Sequence, residues 1–183
     1  MSLKEYTKDL HTAVEKTPFS KLLLSGNITK EQYAKYLYQM LLVYGPIEYS
    51  AGLLGITDNL PGIERTKLIY DDFIELAGKE YANLPDRPVW LKSTIDYHNY
   101  LLELMNSDNR NLIKAHLYVR HMGDLFGGQF IAKCVPGSGR MYKFNDIETL
   151  KTNIRSLATD DLGDEARIAF KWAIDIMNEL IDA

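Results

Sequence analysis

Residues 116–129 read HLYVRHMGDLFGGQ. The stretch starts as good helical sequence, with Leu117, Val119 and Arg120 and few breakers. Then Gly123, Gly127 and Gly128 arrive inside the same run, around Asp124. Each interior glycine costs a helix about 1 kcal/mol against alanine. Two uses could justify weakening one helix three times. Small residues permit tight helix–helix packing, or they let backbone approach a flat ligand and bend over it.

The whole chain sets the bounds. Its 183 residues suffice for one domain, taken as 1–183, with one sizeable core. A net charge of −4 argues against a nucleic-acid binder that relies on overall charge. The single cysteine, Cys134, excludes an intramolecular disulfide and fits a reducing compartment. The opening MSLKEYTKDL is charged from its fourth residue and has no apolar signal core. The densest apolar run, MLLVYGPI, falls far short of the ~20 residues of a membrane span, and the closing ELIDA carries no anchor. These features predict a soluble, cytoplasmic protein with no membrane anchor and no nucleic-acid partner.

Helical periodicity dominates. Leu3, Thr7, Leu10, His11 and Val14 share one face of an N-terminal helix that Thr17-Pro18 should end. Thr29 reads as an N-cap, with Gln32 as its capping-box partner. The helix from Lys30 carries Tyr33, Tyr36, Leu37, Met40, Leu41 and Tyr44, and Gly45-Pro46 should kink or end it. DNLPGIE and VPGSGR read as loops. Further helices are predicted near 63–81, 90–105, 109–134, 146–158 and 162–181. No alternating β-branched run argues for a sheet. The expected fold is an all-α helical bundle.

The polar residues exclude several chemistries. The four histidines are His11, His98, His116 and His121, and none stands in a Glu-x-x-His pair, which removes the di-iron carboxylate signature. One cysteine rules out cysteine-rich zinc patterns. Nucleophile-elbow, phosphate-loop and dinucleotide fingerprints are all missing. His11 lies on the apolar stripe of the first helix. It is either a core histidine satisfied by a hydrogen bond or an axial ligand to a buried metal cofactor. Glu15, one turn later, is either a solvated charge or the acceptor that fixes the His11 tautomer.

The two stretches together carry a resemblance. HLYVRHMGDLFGGQ resembles the heme oxygenase signature H-A-Y-x-R-Y-L-G-D-L-S-G-G-Q. LKEYTKDLHTAVEKTPF resembles the proximal segment of the same family, L-K-x-x-T-x-x-x-H-x-x-A-E. The likeness covers nearly the whole chain and is to the compact form found in bacteria and cyanobacteria. It implies a single-domain bundle that sandwiches haem b, both cofactor and substrate, between the N-terminal proximal helix and a glycine-kinked distal helix. His11 would be the iron ligand and Glu15 its hydrogen-bond partner. Gly123 and Gly127 would let the distal helix lie over haem, and Asp124 would organise the distal network with Arg120 and Tyr44. Lys4, Tyr118, Lys151 and Arg155 match positions that contact haem propionates, and Thr7 would line the proximal side. Phe126 departs from the usual serine, His121-Met122 from tyrosine-leucine, and Val14 from a small residue.

The resemblance implies oxidative opening of haem to biliverdin, with release of carbon monoxide and ferrous iron, using dioxygen. The sequence holds no flavin, nicotinamide or iron–sulfur motif, so electrons must come from an external donor. The family points to ferredoxin, and a bilin reductase could act downstream. Lys8, Lys16, Lys21 and Lys151 are candidates for a basic patch that steers an acidic donor. A haem-binding or haem-delivery protein on the same fold is the alternative. A relative that binds another small molecule and no haem is a further one.

Overall fold

The computed structural model describes residues 2–79 and 89–183. Among them are nine α-helices and no strand. They are α1 (Leu3–Tyr6), α2 (Lys8–Lys16), α3 (Pro18–Ser25), α4 (Lys30–Leu53) and α5 (Thr66–Ala77), then α6 (Lys92–Met105), α7 (Ile113–Ile131), α8 (Ile147–Leu157) and α9 (Gly163–Ile181). The expected all-α bundle is the fold observed. Its main core is built on Leu37, Met40, Val43, Ile47, Phe73, Leu101, Leu117 and Ile176. A second cluster, of Leu3, Ala115, Val119, Ala166, Ala169 and Phe170, takes in Leu10 and Val14 from α2. That cluster seats the N-terminal helices against α7 and α9.

Local chemistry sets the helix ends. Thr29 and Gln32 form the expected capping box: Gln32 N–H donates to Thr29 Oγ1 at 3.2 Å and Thr29 N–H to Gln32 Oε1 at 3.0 Å. Ser2 and Glu5 make a second box on α1. The N-terminal segment is two helices, because Thr7 leaves the helical conformation at φ −108°, ψ 4°. Thr17 ends α2 and caps α3, where Pro18 takes the first helical position. The predicted 63–81 helix stops at Ala77, before Gly78 at φ +82°, and positions 80 and 81 lie outside the described residues. The predicted 109–134 helix shortens to α7, after a 3-10 turn at Arg110–Leu112. The loop VPGSGR bends through Gly137 and Gly139, both at positive φ.

Of the two outcomes expected at Gly45-Pro46, a kink or an end, the helix does not end there: α4 continues to Leu53. Proline supplies no N–H to the carbonyl four residues back. That carbonyl belongs to Leu42, and His98 of α6 donates to it through Nδ1 at 2.8 Å. A side chain from another helix thus replaces the missing backbone donor.

A second histidine ties three helices together. His116 of α7 is fully buried. Tyr97 of α6 lies 2.8 Å from its Nδ1, and Glu165 of α9 lies 2.7 Å from its Nε2. Tyr100 also donates to Glu165, at 2.6 Å. A carboxylate can only accept, so Nε2 carries the proton and Nδ1 accepts from Tyr97. His116→Ala would strip a donor from the Glu165 carboxylate, orphan the buried Tyr97 hydroxyl and leave a cavity between three helices, and should cost about 3 kcal/mol or more. His98→Ala orphans one carbonyl and should cost about 1 kcal/mol. Denaturant midpoints of the two variants check this ranking, and equal losses would contradict it.

Candidate functional site

At 100° per residue, Gly123 and Gly127 share one face of α7, and Asp124 and Gly128 share the next. A Cβ added at Gly123 or Gly127 would meet nothing within 4 Å from other elements. A Cβ at Gly128 would come to 2.6 Å from Tyr142 Cδ1. The three glycines therefore differ in their surroundings. Gly128 lets α7 lie flat on Tyr142, while Gly123 and Gly127 leave open backbone. α7 stays helical throughout this segment. Tyr142 is fixed from two sides. The buried Asp72 of α5 accepts from Arg140 and from Met141 N–H, each at 3.0 Å, and Gln129 donates to the Tyr142 carbonyl at 2.9 Å.

Beside the open strip, Asp124 is buried. Tyr44 of α4 donates to its Oδ2 at 2.6 Å. Arg120, one turn earlier, is also buried, with its Cζ 5.3 Å from the centre of the Tyr97 ring. Its Nε and Nη2 have no hydrogen-bond partner. Tyr44, Arg120 and Asp124 are all buried, and Tyr44 ties α4 to α7 beside Gly123 and Gly127.

His11 corrects the interior-stripe expectation. Its side chain is 57% exposed and its Nδ1 stands 3.6 Å from Glu15 Oε1, beyond hydrogen-bond range. Its ring meets only an edge of Phe170, at 5.9 Å. The core-histidine reading therefore fails. The reason is the seating of α2, which has no fully buried residue and rests on α9 by Leu10 and Val14. Polar ties hold it there. Arg167 grips Asp9 bidentately at 2.7 and 2.8 Å, and Tyr6 donates to Asp164 at 2.7 Å. Thr7 is buried with its hydroxyl on the Leu3 carbonyl at 2.9 Å, while Lys4 is exposed.

The α8 cations gather on Phe126, the residue that departs from the signature. Lys151 Nζ lies 4.2 Å from the ring centre and Arg155 Cζ 5.3 Å from it. Lys151 also pairs with Glu148 at 3.0 Å. Tyr118 is half-buried, and burial raises its hydroxyl while the nearby Arg155 lowers it. Lys8 and Lys16 on α2 and Lys21 on α3 are exposed, whereas Lys151 is largely covered. Sequence reasoning did not find the partners of His116 and His121. The available signal was two histidines inside a run of residues such as Ala115, Leu117, Val119 and Met122, all buried in the fold.

Asp124 is the titratable group in this cluster with the clearest consequence. Burial pushes its carboxyl up to about 6, against the Tyr44 hydrogen bond and the charges of His121, Arg120 and Arg65. An unfolded aspartate titrates near ~4. Between those two values the folded chain holds the proton more tightly, so stability falls as pH rises through the window. Asp124→Asn keeps an acceptor for Tyr44 and removes the buried charge. It should exceed the wild type in stability by about 1–3 kcal/mol at pH 8 and show no such gain at pH 4. Urea unfolding at both pH values checks this, and a pH-independent difference would contradict it.

Comparison with known proteins bears on the family and the fold. The Heme oxygenase family model matches residues 1–179. Heme oxygenase of Porphyra purpurea is 31% identical, over 97% of this chain and 84% of that protein. Heme oxygenase 2 of Synechocystis sp. is 25% identical, over 98% of this chain and 82% of that protein. The heme complex of Synechocystis heme oxygenase-1 superposes with a TM-score of 0.83 at 24% identity, over 98% of this chain and 92% of that one. Heme oxygenase from Leptospira interrogans gives 0.82 at 25% identity, over 98% and 100%. With a family match over nearly its whole length, the chain belongs to the heme oxygenase family.

Proposed function

We propose that residues 1–183 act as one domain that holds haem b between α2 and the open strip of α7. There the ring is opened to biliverdin, with release of carbon monoxide and ferrous iron. The observation that carries this reading is the pairing of bare backbone at Gly123 and Gly127 with the buried Asp124–Tyr44 pair beside it. The residues fit the group: His11 offers an exposed imidazole with no hydrogen bond, and Arg120 offers buried donors without partners.

Haem, when bound, supplies both the redox-active iron that reduces dioxygen and the ring carbon that is oxidised. The chain's own residues do the rest. Glu15 faces Nδ1 of His11. A hydrogen bond there would keep the proton on Nδ1 and leave the Nε2 lone pair for iron. Gly123 and Gly127 keep the α7 face free of side chains. Asp124 takes a hydrogen bond from Tyr44 and, with a carboxyl poised at about 6, can hold or pass a proton near neutrality. Arg120 adds fixed positive charge beside it. Lys4, Tyr118, Lys151 and Arg155 hold propionates, with Lys151 exchanging Glu148 for a haem carboxylate. Thr7 fixes the α1–α2 junction on the proximal side.

Electrons come from an external donor, and a ferredoxin is the donor proposed. The exposed Lys8, Lys16 and Lys21 on α2 and α3 support docking of an acidic partner. A downstream bilin reductase and a cytoplasmic setting complete the proposal. Among the described residues, no helix is long and apolar enough to cross a membrane.

The test is a spectrum in air of the chain mixed with haem, ferredoxin, its reductase and NADPH. The Soret band should fall as a broad biliverdin band grows, and catalase should not prevent it. Haem that stays intact after reduction would overturn the oxygenase reading in favour of haem delivery. His11→Ala should lose the wild-type ferric coordination spectrum and most turnover. An unchanged coordination spectrum would remove His11 as the ligand.

A further inference from the structure

Two buried histidines on α7 sit in opposite hydrogen-bonding environments. His116 faces one donor, the Tyr97 hydroxyl, and one acceptor, Glu165. That set is satisfied by neutral imidazole. His121 is equally buried, but both of its nitrogens face acceptors. Nδ1 lies 3.1 Å from the Leu117 carbonyl, and Nε2 lies 3.1 Å from Glu48 Oε1.

The surroundings of Glu48 favour its ionised form. Its Oε1 already accepts from Arg65 N–H at 2.5 Å. Its Oε2 accepts from Thr66 N–H at 3.0 Å and from the Thr66 hydroxyl at 2.6 Å. Three donors on its two oxygens favour the ionised form, since each hydrogen bond to a carboxylate stabilises the charge. These donors and His121 hold the Glu48 carboxyl below its ordinary value in spite of burial. Glu48 is therefore a carboxylate, and a neutral His121 would turn a bare lone pair toward either that carboxylate or the Leu117 carbonyl. Beside an ionised Glu48, both ring nitrogens have a partner only when both carry protons.

The resulting cation stands next to the candidate site. His121 precedes Asp124 by three residues, on adjoining positions of α7. Its ring meets that of Tyr44 at 5.2 Å and 63°, and Tyr44 donates to Asp124 at 2.6 Å. A cation near the phenol ring makes its hydroxyl a better donor. We infer that His121, kept doubly protonated by Glu48, is a positioning residue that holds Asp124 ionised, directly by charge and indirectly through Tyr44. The inference rests on the role proposed above for Asp124.

The other groups around the pair do not make His121 redundant. Asp124 is faced by Tyr33, Tyr36 and Tyr44 from α4, by Arg120 and His121 on α7, by Arg65 ahead of α5 and by Tyr142. The tyrosines are neutral near pH 7, since burial raises each of them. Three cations remain. Of these, His121 is the one whose ring meets Tyr44, the hydrogen-bond donor to Asp124. Arg65 spends its guanidinium on the Ile63, Gly62, Met141 and Lys143 carbonyls.

The experiment needs no haem and no turnover. Nitrogen-15 NMR of the haem-free wild-type chain should show protons on both His121 nitrogens at pH 7, and one proton on His116. Carbon-13 NMR should place the Asp124 carboxyl titration higher in His121→Gln than in wild type, by about one pH unit. Glu48→Gln should move it the same way, because it removes the reason for the second proton. A singly protonated His121 in the wild type would overturn the inference, and so would an unmoved Asp124 midpoint in a folded variant. If neither variant folds, the wild-type nitrogen spectrum still decides. Ring opening by Asp124→Asn tests the role of Asp124 separately. Normal turnover in that variant would remove the proposed role and leave the electrostatic pair standing.

Discussion

One helix must present bare backbone on one side and bury a carboxylate on the next. That demand on α7 organises the rest of the molecule. Gly123 and Gly127 supply the bare side and give up helix stability to do so. Asp124 supplies the other, and burial works against its charge. A helix loosened twice by glycine needs support behind it. Gly128 gives that support by letting the Tyr142 ring press against the backbone. Tyr142 in turn depends on the hold of Asp72 on the Arg140–Met141 turn.

The charged groups follow the same logic. Isolated buried charges are expensive, and these buried carboxylates come with partners. Glu165 has His116 and Tyr100. Glu48 has His121, Arg65 N–H and Thr66. Asp72 has Arg140 and Met141 N–H. These pairs cross between α4, α5, α7 and α9 and fix the position of α7 from several directions. Against them, α2 is a light attachment on α9 and carries its histidine at an exposed edge.

Much of this was legible in the residues. The helical class, the Thr29–Gln32 box and the VPGSGR bend follow from local rules, and the structure keeps them. The Lys151–Arg155 spacing correctly put both cations on one face of α8. The failures share a cause, since each turns on a contact distant in sequence. Pro46 does not end α4, because His98 reaches the Leu42 carbonyl from another helix. His11 lies on an apolar stripe, but periodicity does not say how deeply a stripe is embedded. The three glycines look alike in sequence, and only Tyr142 separates Gly128 from the others. His121 and Glu48 lie 73 residues apart, so neither announces the other.

The central claim is that the open strip of α7 is space reserved for haem, not slack in the packing. The most direct measurement is haem affinity set beside thermal stability for Gly127→Leu and Gly128→Ala. Gly127→Leu meets no neighbouring element within 4 Å at its Cβ. It should fold at least as stably as the wild type and yet bind haem about tenfold more weakly or worse, a loss of about 1.4 kcal/mol. Gly128→Ala should lose stability instead, because its Cβ runs into Tyr142. Wild-type haem affinity in a stably folded Gly127→Leu chain would contradict the account.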